Sequence, residues 1–149
     1  MAQDFTQSAG ATLSIGDSSS PPTYTKVAGI TNIGEFGRSY NVGNYNPLAD
    51  RRTRKYKGEY DEGSFSLNLA RDLSDQGQSD LRTALDSDDP VPIKIELADA
   101  PAGSGTSPTM FEFDALVTSF TTNIGSTSDY VSGTVNIEIV SDITFTEAA

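Results

Sequence analysis

Apolar and polar residues alternate with a period of two along much of this chain. Over 64–70, Phe65, Leu67 and Leu69 share one side, while Ser64, Ser66 and Asn68 share the other. The same alternation recurs in Val91, Ile93, Ile95 and Leu97, with Lys94 and Glu96 opposite. Phe111, Phe113, Ala115 and Val117 alternate against Glu112, Asp114 and Thr118, and Phe120 marks a phase slip. Val131, Val135, Ile137 and Ile139 alternate against Ser132, Thr134, Asn136 and Glu138, and the NIGSTSD turn joins these last two runs as a hairpin. Each run predicts a strand with one buried face. Shorter strands are expected at 12–15 and at 24–33, the latter bent at Gly29. Extended chain is expected at 36–42, and the 64–70 run is expected to begin as early as Glu59.

One segment has helical spacing. Leu73, Leu81, Ala84 and Leu85 form an apolar stripe over 72–86, with Ser74 or Ser79 as the cap and Gly77 weakening the first turn. Residues 43–58 fit neither period. With Gly43 and Gly58 at the ends, Pro47 inside and many polar residues, they read as a long inter-strand loop. Residues 1–10 read as a flexible polar arm. Together these elements predict one mainly β domain over 1–149, an antiparallel β-sandwich or barrel flanked by one α-helix.

Charge changes the picture at a single place. The net charge is −11, yet five of the ten basic residues (Arg51, Arg52, Arg54, Lys55 and Lys57) fall within seven positions. Without them the chain would carry five basic against 21 acidic residues, a balance of −16. An acidic body opposes binding to phosphates, and Tyr56 alone gives the cluster little base-stacking capacity. A loop that pairs its arginines with carboxylates of a neighbour, anchored by Tyr45, Leu48 and Tyr56, fits better. The acidic partner surface is already present in the same chain.

Catalytic and metal chemistry find little support. The chain has no Cys and no His, which removes thiolate, imidazole and disulfide chemistry. Carboxylate pairs are available, but there is no Trp to form a sugar-stacking platform. Asp72, Ser74, Gln76 and Gly77 match the start of a calcium loop, but Thr83 stands where the bidentate acid belongs. Asp86, Asp88 and Asp89 read as a solvated helix exit. No P-loop, dinucleotide fingerprint, secretory leader or membrane-spanning run is expected, and no cofactor is called for. The protein is read as non-enzymatic.

The order of elements resembles the major tail tube proteins of long-tailed bacteriophages with non-contractile tails. The resemblance is carried by "ATLSIGD…YTKVAGITNIGEFG", then "GEYDEGSFSLNLARD", "SDQGQSDLRTALDSDD" and "VPIKIELAD". It ends in "FEFDALVTSFTTNIGSTSDYVSGTVNIEIVSDI", where Phe113, Val117, Thr118, Ser119, Phe120, Gly125, Val135, Ile137 and Ile139 carry the pattern. Tube proteins of contractile tails and of type VI secretion share that fold. The resemblance implies a virion protein, made in the host cytoplasm, that assembles into hexameric rings stacked as a hollow tail tube. Its partners would be itself and the tape-measure, distal tail and tail-terminator proteins. DNA would pass through without specific binding, and no membrane is involved. Ser64, Ser66, Asn68, Glu112, Asp114, Asn136 and Glu138 become candidates for the lumen, and the 43–58 segment for contacts between subunits or rings. The alternatives are a monomeric β-sandwich binding module and the tube protein of a contractile tail or secretion system.

Overall fold

The computed structural model describes residue 6 and residues 8–149. Its strands are β1 (Thr12–Gly16), β2 (Tyr24–Lys26), β3 (Ile30–Ile33), β4 (Ser39–Tyr45), β5 (Arg54–Asp61), β6 (Ser64–Ala70), β7 (Val91–Glu96), β8 (Met110–Asn123), β9 (Ser132–Ile139) and β10 (Thr144–Thr146). Helix α1 (Gln76–Leu85) lies between β6 and β7. The main sheet is antiparallel in the order β2-β1-β7-β8-β9-β6-β3, and β10 follows β9 in sequence and also pairs with β8. The mainly β architecture with one flanking helix agrees with the expectation from the sequence.

Strands β2 and β3 stand at opposite ends of this order, yet only residues 27–29 join them. Three residues span at most about 10 Å, so the two ends of the sheet must meet. The sheet therefore curls into a barrel. The stretch expected as one strand over 24–33 is broken at Gly29, where φ is +79° and a side chain would press on the Ala70 carbonyl. Before the break it pairs with β1, and after it with β6. Backbone hydrogen bonds from Val27 N–H to Leu13 O (2.9 Å) and from Ala70 N–H to Gly29 O (2.7 Å) hold the crossing on both sides.

The alternating runs supply the core. Leu13, Ile93, Phe113, Val117, Leu67, Val135 and Ile137 all point inward and are buried. Phe36 joins them, with its ring 5.4 Å from those of both Phe65 and Phe111. The expected phase slip on β8 is a register shift between Val117 and Ser119, which returns Phe120 to the inner side opposite Val135.

Helix α1 packs against the β2–β3 crossing, and it is shorter than expected. Asp75 is its cap, its side chain accepting from Gln78 N–H at 3.0 Å, in place of Ser74 or Ser79. The same carboxylate accepts from Ala28 N–H at 3.0 Å, so capping and docking use one group. Leu73 lies before the helix and is exposed, outside the stripe formed by the buried Leu81 and Ala84. Gly77 sits against Lys26 O and Val27 Cα, so a side chain there would collide with backbone.

Of the arm expected at 1–10, residues 1–5 and 7 lie outside the described residues, and residues 8–11 form a turn closed by Ala11 N–H donating to Ser8 O at 3.0 Å. Among the described residues no helix is long and apolar enough to cross a membrane.

Hydrogen bonds hold several surface carboxylates below their ordinary value of 3.8. The Ser19 hydroxyl and the Thr23 amide do so for Asp17, and the Thr109 hydroxyl and amide for Asp99. A folded pKa below the unfolded one gives stability that is complete above the unfolded value and lost as pH falls through the folded one. The melting temperature should therefore stay level from neutrality to about pH 5 and drop below about pH 4. Asp99→Asn should make that drop shallower, which a pH series of thermal melts would read.

Candidate functional site

The segment expected as a loop over 43–58 is mostly strand, and this corrects the reading from sequence. Strands β4 and β5 form a two-stranded hairpin separate from the barrel sheet. Gly43, Asn44 and Tyr45 pair with Tyr56, Lys55 and Arg54, leaving only residues 46–53 as the loop. The strand expected to begin at Glu59 is likewise interrupted at Glu62 and Gly63, where the hairpin ends and the barrel resumes.

Among the described residues, none covers either face of the hairpin. Every residue of β5 and all of β4 except Gly43 are exposed. Two-stranded ribbons are marginal on their own, so side-chain pairs across the ladder carry it. On one face Lys57 lies 4.7 Å above the Tyr40 ring, which is 5.4 Å from Tyr60. On the other, Tyr56 lies across Gly43, where a side chain would meet the tyrosine ring, and its centroid is 6.4 Å from Tyr45. Gly43 is thus the seat of Tyr56 rather than a loop residue. At the tip Arg54 donates to Asp50 at 2.7 Å, and Leu48 is fully exposed.

The root of the hairpin is anchored by a group the sequence did not point to. Glu62 is only 6% exposed, and its carboxylate accepts from Arg38 Nε at 2.7 Å. Arg38 also reaches Asp142 in the β9–β10 connection at 3.3 Å, and its guanidinium lies 4.2 Å over the Tyr60 ring. Hydrogen bonds with Tyr40 and Glu62 raise the Arg38 pKa still further, so it stays cationic at any working pH. This cluster joins hairpin to barrel. Glu62→Ala should leave barrel amides protected but speed hydrogen exchange in β4 and β5 by about tenfold or more; unchanged exchange would deny the anchor.

The seven residues expected to line a lumen all lie on the outward face of the barrel sheet, in two groups. Ser64, Ser66 and Asn68 on β6 stand beside Glu138, Asn136 and Thr134 on β9. Ser66 donates to Asn136 Oδ1 at 2.5 Å, and Asn136 Nδ2 donates to Ser119 Oγ on β8 at 2.7 Å. Thr134 donates to Asn68 Oδ1 at 3.1 Å, so these side chains form a cross-strand network of neutral groups. Glu112 and Asp114 sit farther along β8, opposite Lys94 and Pro92 of β7. Together with burial, their charges raise the pKa of the Tyr24 hydroxyl.

The structure shows what Asp72, singled out by the sequence at the start of a calcium-loop pattern, is bonded to. Asp72 accepts from Ser74 N–H and Oγ at 3.0 and 2.7 Å, a local turn that leads into α1. Among the described residues, no group of three acids is placed to hold a metal ion.

No protein-family model and no curated protein sequence matches the chain. Solved structures do match its fold over nearly its whole length. A chain of the anti-feeding prophage baseplate, solved with 6-fold symmetry, superposes with a TM-score of 0.73 at 12% identity, covering 99% of this chain and 98% of that one. A chain of the SPP1 tail tube gives 0.72 at 8% identity, covering 95% and 79%. A chain of the sheath–tube complex of the PVC extracellular contractile injection system gives 0.71 at 14% identity, covering 97% and 93%.

Proposed function

We propose that this chain is the subunit of a tail tube, assembling into hexameric rings that stack into a hollow conduit for DNA. The observation that carries the reading is the near full-length fold likeness to chains of a tail tube and of a sheath–tube complex. The exposed hairpin supports it independently. A free-standing cationic ribbon on an acidic barrel is marginal alone and complements other copies of the same body.

In this reading β4–β5 reaches a neighbouring subunit or ring, with Tyr45, Leu48 and Tyr56 as apolar anchors. Arg51, Arg52, Arg54, Lys55 and Lys57 supply the charge. The network around Ser66 and Asn136 lines the lumen as a neutral, satisfied surface. With Glu138, Glu112 and Asp114 nearby, and with Lys94 opposite Glu112 held by Glu96 at 3.0 Å, it offers phosphates little cationic grip, so DNA slides. Tape-measure, distal tail and terminator proteins would complete the tail.

The subunit of a non-contractile bacteriophage tail is the form we favour. A tube inside a contractile sheath is the second reading, favoured by the likeness to contractile injection systems. Negative-stain electron microscopy of concentrated protein tests the common core of both. Rings or uniform tubes are expected; monodisperse monomer at every concentration would refute it. Co-expression with the sheath protein of a contractile system separates the two forms, since only the second predicts a sheathed tube.

A further inference from the structure

The barrel closes at the α1 end of its seam and gapes at the other. Beyond the crossing at 27–29, β3 pairs, among the described residues, with β6 on one side only. Its other edge faces the turn at 8–11 across an open cleft of about 530 Å³. Ile30, Ile33, Phe36, Ile95, Leu97 and Phe111 give this cleft an apolar floor. Exposed Glu35 stands on its lip, between the lining residues Gly34 and Phe36.

The hairpin tip has the complementary character. Leu48 is fully exposed at the end of the ribbon, and Arg51 and Arg52 follow within four positions. An apolar knob beside cations thus matches an apolar floor beside a carboxylate. The knob does not reach its own cleft. Phe36, at the root of the hairpin, lines the cleft, and seven residues of β4 carry the tip about 23 Å away from that root.

We propose that Leu48 of one copy seats in the cleft beside β3 of the next copy. This rests on the tube reading and specifies the receiving surface within it. A contact between two different patches repeats from copy to copy, closing as a ring or running on as a filament, rather than ending at a dimer.

Because the chain has no native Cys, directed disulfides test the contact cleanly. Leu48→Cys combined with Thr31→Cys, an exposed residue on the cleft wall, should give a ladder of linked chains on mild oxidation of assembled protein. The yield should exceed by about tenfold that of Leu48→Cys with Asp129→Cys in the 126–129 turn, since a disulfide tolerates only about 4–7 Å between Cα atoms. Leu48→Asp should stay folded and fail to assemble at concentrations where wild type and Leu48→Met succeed. Tubes that form from Leu48→Asp as from wild type, or equal linkage at residue 129, would overturn the inference and leave the tube reading standing. Wild type that forms neither rings nor tubes would overturn both.

Discussion

Replacing Gln78 by Leu is expected to lower the free energy of unfolding by about 3–5 kcal/mol, the upper range for a single substitution. Gln78 is 1% exposed, on the first turn of α1. Its Nε2 donates to Ala28 O at 2.8 Å and to Ala70 O at 2.9 Å, one on each side of the crossing. Its Oε1 accepts from Asp72 N–H at 3.0 Å and from Arg71 Nη1 at 3.1 Å. A leucine of similar size fills the space and leaves two carbonyls, an amide and a guanidinium without partners. Each unmet buried group costs roughly 1–3 kcal/mol, with partial relief from water reaching the helix end. The expected result is a urea midpoint shifted down with little change in slope. Gln78→Glu is the sharper control: it keeps Oε1 but turns the donor toward Ala28 and Ala70 into an acceptor. A loss below about 1 kcal/mol in both variants would mean that α1 does not seal the barrel.

That effect also shows where sequence and structure part company. The strands 64–70, 91–96 and 132–139 were legible because one face of each is buried, and burial writes a period of two into the chain. Strands β4 and β5 bury neither face, so no alternation marks them, and Gly43 and Gly58 read as loop residues. Tyr56 opposite Gly43 is a cross-strand pairing that becomes visible only once the register is known. The closing of the barrel was hidden for another reason. It depends on Gln78 meeting carbonyls 50 and 8 positions away, and no local pattern encodes such a meeting. A cue did exist in Asp75 followed three residues later by Gln78, the spacing of a helix start with a reciprocal side chain. Glu62 was no more conspicuous than the other acids of its segment, and its burial follows from Arg38, 24 residues earlier. The cationic cluster, by contrast, was plain in the sequence, because charge density needs no knowledge of the fold.

Replacing Arg51, Arg52, Arg54, Lys55 and Lys57 together by Ser should abolish assembly while leaving the barrel folded. All five side chains lie on the exposed hairpin, whose sheet is separate from that of the barrel, so the thermal midpoint should move by only a few degrees. Assembly is different, because charge accumulates with copy number. In the proposed hexameric ring, six copies at −11 would carry −66, and the variant, at −16 per copy, would carry −96. Removing the cations thus takes away the attraction and deepens the repulsion together. Wild-type assembly should weaken as salt rises from about 0.05 to 0.5 M, since contacts between exposed charges are screened over that range. In the variant the sign of the salt effect should reverse: screening relieves repulsion, and any residual association through Leu48 and the tyrosines should grow with ionic strength. Sedimentation and electron microscopy across a salt series read both trends. Tubes of normal length from the variant at low salt would show that the five cations lie outside the contact. A hairpin that still projects in that variant, by its hydrogen-exchange pattern, would assign the lost assembly to charge rather than to a collapsed ribbon.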